Sequence, residues 1–228
     1  RDIQYGSKVK AHSVYMSQFQ LIPYNRIEDY FADQMDIALS GGSIFNFNRE
    51  AYQLLEKFDL VAKQELINSL IVHSDETGIN VDKKRIWLHS ASNRQWVYFY
   101  PHAKRGKEAM DEMGILPYFK GILCHDHWKP YYGYPCLHAL CNAHHLRELT
   151  LAADDDKQQW AVDIRALLVE MNKAVNAGGV LSATLQREFL QKYDAIMMAG
   201  EIECPLPLLP DKPKKGRIKR SKSRNLLE

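Results

Sequence analysis

The sequence predicts an α/β fold in which a sheet lies between helical segments, and three observations carry that expectation. Two short apolar runs, Leu70-Ile71-Val72-His73-Ser74-Asp75 and Gly121-Ile122-Leu123-Cys124-His125-Asp126, each end on an aspartate. Between them, Ile86-Trp87-Leu88 and Gln95-Trp96-Val97-Tyr98-Phe99-Tyr100 concentrate the aromatic and β-branched residues that suit a pleated surface. On either side, apolar residues recur at the three-to-four spacing of amphipathic helices.

Composition sets the bounds. A chain of 228 residues with 46% hydrophobic content can bury one large core or a core with an accessory unit. No stretch approaches the roughly 18 apolar residues of a membrane span, and Arg1-Asp2-Ile3-Gln4 lacks the layout of a secretory signal. Four cysteines (Cys124, Cys136, Cys141, Cys204) are too few for a disulfide scaffold at this length, which favours a reducing cytosol.

The net charge of +2 conceals an uneven distribution. Residues 211–228 hold eight Lys or Arg against two acids, leaving the rest of the chain net acidic. Such a run can gather along a phosphate backbone by releasing counterions. Lys214, Lys215, Arg217, Lys219 and Arg220 are therefore candidate DNA contacts, with a solvated linker as the alternative. Pro205, Pro207, Pro210 and Pro213 interrupt regular structure, so an extended connector is expected over residues 204–224.

The elements follow in order. Residues 7–20 read as a helix broken near Ile22-Pro23, since proline disfavours helix at the residue before it. Residues 26–34 read as a second helix with Ile27, Tyr30 and Phe31 on one face. A third is expected to open at Ser43 as N-cap and to carry Ile44, Phe47, Ala51, Leu54, Leu55 and Phe58 at helical spacing. Short helices joined by a glycine-containing turn are compatible with a DNA-reading helix-turn-helix and equally with a packed helical hairpin. Next come a strand ending at Asp75 and Gly78, a hairpin turning at Ser92-Asn93-Arg94, a short helix burying Ala109, Met110 and Met113, and the strand leading to Asp126. Trp160, Ile164, Leu167, Leu168, Met171 and Val175 predict an amphipathic helix. Leu185, Phe189, Tyr193, Ile196 and Met197 predict another after Gly178-Gly179.

Burying Asp75 without a partner would cost several kcal/mol, so a metal or a hydrogen-bond network is implied. Hard Mg²⁺ or Mn²⁺ takes carboxylate oxygens and keeps several waters. Two ions about 4 Å apart can activate a nucleophile and stabilise a leaving oxygen in phosphodiester chemistry. Paired Asp75 and Asp126 suit that chemistry, whereas either alone would read as a turn cap. His125 and His127 should project away from the face of Asp126 if the strand alternates regularly. Lys104-Arg105-Gly106-Lys107 can meet a phosphate at a helix start. The cluster Cys136-x4-Cys141-x2-His144-His145 offers thiolate and imidazole donors for zinc, but it lacks the paired knuckles of structural sites, and buried apolar cysteines are the favoured reading.

Five motifs follow in order: His73-Ser74-Asp75-Glu76-Thr77-Gly78; Ile86-Trp87-Leu88 with Ala91-Ser92; Arg105-Gly106-Lys107-Glu108-Ala109; His125-Asp126-x4-Tyr131; and Cys141-Asn142-Ala143-His144-His145-Leu146-Arg147. Together they resemble the DDE transposases of the insertion-sequence sixty-six (IS66) family. Gln4-Tyr5-Gly6 and Gln20-Leu21-Ile22-Pro23-Tyr24-x-Arg26-Ile27 also resemble the segment ahead of that family's core.

The resemblance implies a ribonuclease H-like mixed-sheet core with an N-terminal helical segment and a helical insertion after the second catalytic strand. It gives Asp75 and Asp126 as catalytic and metal-binding carboxylates, Mg²⁺ or Mn²⁺ as cofactor, and DNA cleavage and joining at element ends as activity. Arg105, Lys107, His144 and Arg147 join the basic run as DNA contacts. The implied partners are DNA, a homodimer or higher synaptic complex, and element-encoded accessory proteins, in a bacterial, nucleoid-associated, cytoplasmic setting without membrane. The expected segments are 1–66 (helical), 67–150 (core), 151–203 (helical insertion) and 204–228 (Pro-rich basic connector).

The family's third acid, a glutamate in an Asp-Asn-Asn-x-x-Glu-Arg type of motif, has no counterpart, and Glu148, Glu201, Glu203 and Glu228 lie in other contexts. This favours a truncated form, also lacking upstream zinc-binding and coiled-coil regions. Two alternatives stay open: an inactive DNA-binding remnant, and a metal-dependent phosphoesterase using His73, Asp75, His125 and Asp126.

Overall fold

The computed structural model describes residues 5–207 and 220–228. It is a mixed α/β structure with a five-stranded mixed sheet. It divides into two units, one of residues 1–123 and 134–137, the other of 124–133 and 138–228.

In the first unit, helix α1 (Ser7–Val14) widens into a single π turn over Tyr15–Phe19, where the Gln20 amide donates to the Tyr15 carbonyl. Helix α2 (Tyr24–Met35) begins directly after Pro23, whose fixed φ suits a helix start. It closes at Asp36, which adopts the left-handed conformation that a short polar side chain tolerates. Helix α3 (Gly41–Leu54) is capped by Ser40 rather than Ser43: the Ser40 hydroxyl accepts from the Ser43 amide at 3.2 Å, and the Glu28 carboxylate accepts from the Gly41 amide. Ile27, Phe31, Ile44 and Phe47 bury their side chains with Met16 and Leu39, each such burial contributing about 1.5–3 kcal/mol.

The expected single helix carrying Leu54, Leu55 and Phe58 at the spacing of Ile44 and Phe47 is not formed, and all three are exposed. Helix α3 ends at Leu54 and α4 (Glu56–Ile67) starts anew, so the three-to-four spacing is not carried through on one face. The Phe58 ring instead lies 5.6 Å from that of Trp96.

The sheet order is β3-β2-β1-β4-β5. Strand β1 (Ile71–Val81) runs through Gly78 instead of stopping there and pairs antiparallel with β2 (Lys84–Ser92), which pairs antiparallel with β3 (Val97–His102). The β1–β2 hairpin turns on Asp82 and Lys83, both with positive φ, as a two-residue turn of primed type requires. Helix α5 (Lys107–Met113) follows, with Ala109, Met110 and Met113 fully buried as expected. Strand β4 (Ile122–His125) joins through the Ile122 amide, which donates to the Leu70 carbonyl at 2.8 Å. Gly121 permits that approach, because a Cβ there would lie 2.4 Å from the Leu70 oxygen. Strand β5 (Leu137–Leu140) had no clear sequence signal.

In the second unit, α6 (Asn142–Asp154), α7 (Gln159–Gly178) and α8 (Ala183–Glu203) pack around Leu149, Ala152, Trp160, Ala161 and Ile164. Gly200 lets α8 come close, since a Cβ would meet Leu227 at 2.8 Å and Trp160 at 3.0 Å. The expected extended connector is partly wrong. Beyond Pro213, Ser221 caps a further helix, α9 (Lys222–Leu227), which buries Arg224 and Leu227. No helix among the described residues is long and apolar enough to cross a membrane.

Candidate functional site

Strand alternation decides what β1 displays. Val72 and Ser74 turn inward with Glu76, whose side chain is fully buried, while His73, Asp75 and Thr77 are exposed. Asp75 is thus not a buried acid at a strand end; it stands in mid-strand and faces solvent. The buried acid is its neighbour. Glu76 accepts from Arg105 Nε at 2.8 Å and pairs with Arg105 Nη2 at 2.7 Å, and that guanidinium lies 5.0 Å from the Trp87 ring centroid. Opposite Glu76 in the register stands His89, also buried, with Nε2 3.3 Å from the Lys104 carbonyl.

Hydroxyls lock the strand around Asp75. Ser74 donates to the Ser90 carbonyl at 2.9 Å, and Ser90 donates to the Asp75 carbonyl at 3.1 Å. The Asp75 carboxylate accepts the Glu76 amide at 2.9 Å.

In the second unit, Asp126 follows β4 directly, and its Oδ1 accepts the Trp128 amide at 3.0 Å, which fixes the carboxylate in a turn. His125 is buried, its ring 4.7 Å from that of Tyr131 and tilted by 25°. Its Nδ1 faces the Asp126 carbonyl, which can only accept, so Nδ1 carries the proton. In the neutral ring Nε2 is then an acceptor for His138 Nδ1 at 3.0 Å. Burial pushes the His125 pKa down and keeps the ring neutral. Both nitrogens are therefore engaged, which counts against His125 as a metal ligand in a phosphoesterase. His127 is exposed and pairs with Glu148 at 3.0 Å.

On α6, His144 Nδ1 and Glu148 Oε2 are buried atoms without a hydrogen-bond partner among the described residues. Burial lowers the His145 pKa. Burial first, then the neighbouring Cys141, raises the Cys124 pKa, and burial raises that of Cys136, so these are neutral thiols rather than thiolates. Among the described residues the group with three potential ligand atoms within 4.8 Å of one another is His102, Glu108 and Glu112, not Cys136, Cys141 and His144.

The candidate DNA contacts are dispersed. Arg105 is committed to Glu76. Lys107 pairs with Asp111 at 3.4 Å and lies 4.4 Å from the Tyr134 ring centroid. Arg147 is exposed on α6, its Nε donating to the Ala143 carbonyl at 3.4 Å. Arg220 pairs with Glu228. Lys214, Lys215, Arg217 and Lys219 lie outside the described residues. Two glutamates beyond α7 have structural partners: Glu203 caps α7 by accepting the Gln159 and Trp160 amides at 2.6 and 3.0 Å, and Glu201 holds Arg224 at 2.6 and 3.0 Å. The reading of the sequence missed Glu76, Arg105 as its partner, and His89. Once Val72 and Ser74 are taken as inward, alternation points to Glu76.

Fold and residues together define a mixed α/β protein whose sheet displays a solvent-facing carboxylate on its central strand. A family description, Transposase IS66 family, matches residues 2–221. The chain belongs to that family. No curated protein matches it in sequence. Among solved structures it is similar to a chain of the simian T-cell lymphotropic virus intasome in complex with PP2A regulatory subunit B56 gamma, at 12% identity and a TM-score of 0.28. The match covers 68% of this chain and 59% of that one, so this chain spans less than two thirds of the solved chain it matches.

Proposed function

We propose that this chain carries out the divalent-metal-dependent DNA cleavage and joining of a DDE transposase on a ribonuclease H-like scaffold, with Asp75 and Asp126 as carboxylate ligands. Family membership supports the reaction class. The observation that carries the residue assignment is Asp75 itself, an exposed carboxylate in the middle of a central strand whose register is held by Ser74 and Ser90. Its hard oxygen donors fit Mg²⁺ or Mn²⁺.

When bound, such ions supply Lewis-acid activation of the attacking and leaving oxygens. The chain's own contribution is positional. Glu76, turned inward and anchored on Arg105, fixes the parity that keeps Asp75 outward. The Trp128 amide holds one oxygen of Asp126. The sheet order, in which β4 neighbours β1, supports this reading. The exposed Arg147, with Lys214, Lys215, Arg217 and Lys219 of the basic run, offers phosphate contacts whose affinity falls with salt. A homodimer is the simplest assembly able to bring two DNA ends together, with accessory proteins of the same element as further partners.

The test is cleavage of labelled element-end DNA under Mn²⁺ by a protein that cuts it. Asp75→Ala and Asp126→Ala should each abolish cutting while leaving salt-dependent DNA binding intact. Unchanged cleavage by either variant would sink the assignment.

A further inference from the structure

The first unit also carries a ligand set separate in sequence from these aspartates. Strand β3 ends on His102, and α5 presents Glu108 and Glu112 one turn apart on the same face. One donor atom from each lies within 4.8 Å of the others. His102 Nε2 is 3.3 Å from Glu112 Oε2, and Tyr100 steadies that oxygen by donating its hydroxyl at 3.2 Å.

The histidine is prepared for two states. Its Nδ1 lies 2.9 Å from the Lys104 amide nitrogen and 3.1 Å from the Lys104 carbonyl oxygen. When Nδ1 accepts from the amide, Nε2 carries the proton and donates to Glu112. When Nδ1 is protonated it donates to the carbonyl, and the Nε2 lone pair is aimed at the carboxylates. Metal-bound histidines ordinarily carry the second arrangement, with the distal N–H held by a carbonyl or carboxylate.

We propose that His102, Glu108 and Glu112 form a binding site for a divalent transition ion of the Mn²⁺ class. One imidazole and two carboxylates suit Mn²⁺ better than Mg²⁺, which favours oxygen throughout, and lack the thiolates of structural zinc sites. The built-in competitor is Lys104, whose ammonium sits 2.6 Å from Glu108 Oε2 and gives up that carboxylate when the ion binds. The site does not depend on the proposed cleavage activity.

The experiment is a titration of the full chain with Mn²⁺, following the free ion by electron paramagnetic resonance. The background carries Asp75→Asn and Asp126→Asn, so that those carboxylates take up none. One saturable ion per chain is expected. His102→Gln and Glu112→Gln should each weaken binding by more than about tenfold, and Lys104→Met should tighten it by removing the competing charge. Glu108→Gln, at an exposed side chain, keeps the test decisive if His102→Gln fails to fold. Absence of saturable binding, equal affinity after losing the ligands, or a Lys104→Met variant that binds no tighter would overturn the proposal.

Discussion

Replacing Arg105 by Met isolates the contact that orients β1. The Glu76 side chain is fully buried and pairs with Arg105 at 2.7 and 2.8 Å, whereas the Arg105 side chain is 40% exposed. Removing one partner of a fully buried pair costs about 3–5 kcal/mol, because the remaining charge is stranded. Partial exposure of the guanidinium screens the pair and lowers the figure, so about 2–4 kcal/mol is expected for Arg105→Met. The methionine keeps much of the apolar stem over Trp87. For a chain of this size that loss corresponds to roughly 4–16 °C in melting temperature.

The double variant Arg105→Met with Glu76→Leu should recover most of the loss, since an apolar pair of similar volume strands no charge. Urea unfolding of the four proteins, followed by circular dichroism, gives the coupling directly. An Arg105→Met cost below about 1 kcal/mol, or a double variant as unstable as the single one, would refute the reasoning. The outcome also bears on DNA binding. If Arg105 chiefly holds Glu76, the double variant should bind DNA with nearly native affinity.

Three further outcomes follow from the geometry. Gly200→Ala should destabilise the second unit by about 1–3 kcal/mol through overpacking, because its Cβ would press on Leu227 and Trp160; faster proteolysis after α8 checks this. Lys83→Gly should raise stability by up to about 1 kcal/mol by relieving a left-handed non-glycine residue in the β1–β2 turn, read as a shift in the urea midpoint. The Arg224 guanidinium holds the Glu201 carboxyl below its ordinary range. The contribution of this contact to docking α9 is therefore present above that range and is lost as pH falls through the lowered Glu201 pKa. Hydrogen exchange of the α9 amides against pH should show this loss, and Glu201→Gln should remove the dependence.

Much of the chain was legible from local pattern. The hairpin strands, the helix burying Ala109, Met110 and Met113, and the paired helices with Trp160, Ile164 and Phe189 inward all stand where periodicity put them. Ordered motifs around Asp75, Trp87, Arg105, Asp126 and His144 were enough to indicate the family. These features are local because each depends on propensity and spacing within a few residues.

Tertiary structure alone decided the rest. A strand carries an acid at each of Asp75 and Glu76, and no local rule says which faces the interior. The pairing of Asp75 with Ser90 and Glu76 with His89 does, since a shift of one residue exchanges the faces. Glu203 and Glu201 look alike in the sequence, yet one caps α7 across forty-odd residues and the other clasps Arg224. Such roles arise from chain segments meeting in space, where a buried amide or guanidinium must find an acceptor wherever the fold supplies one.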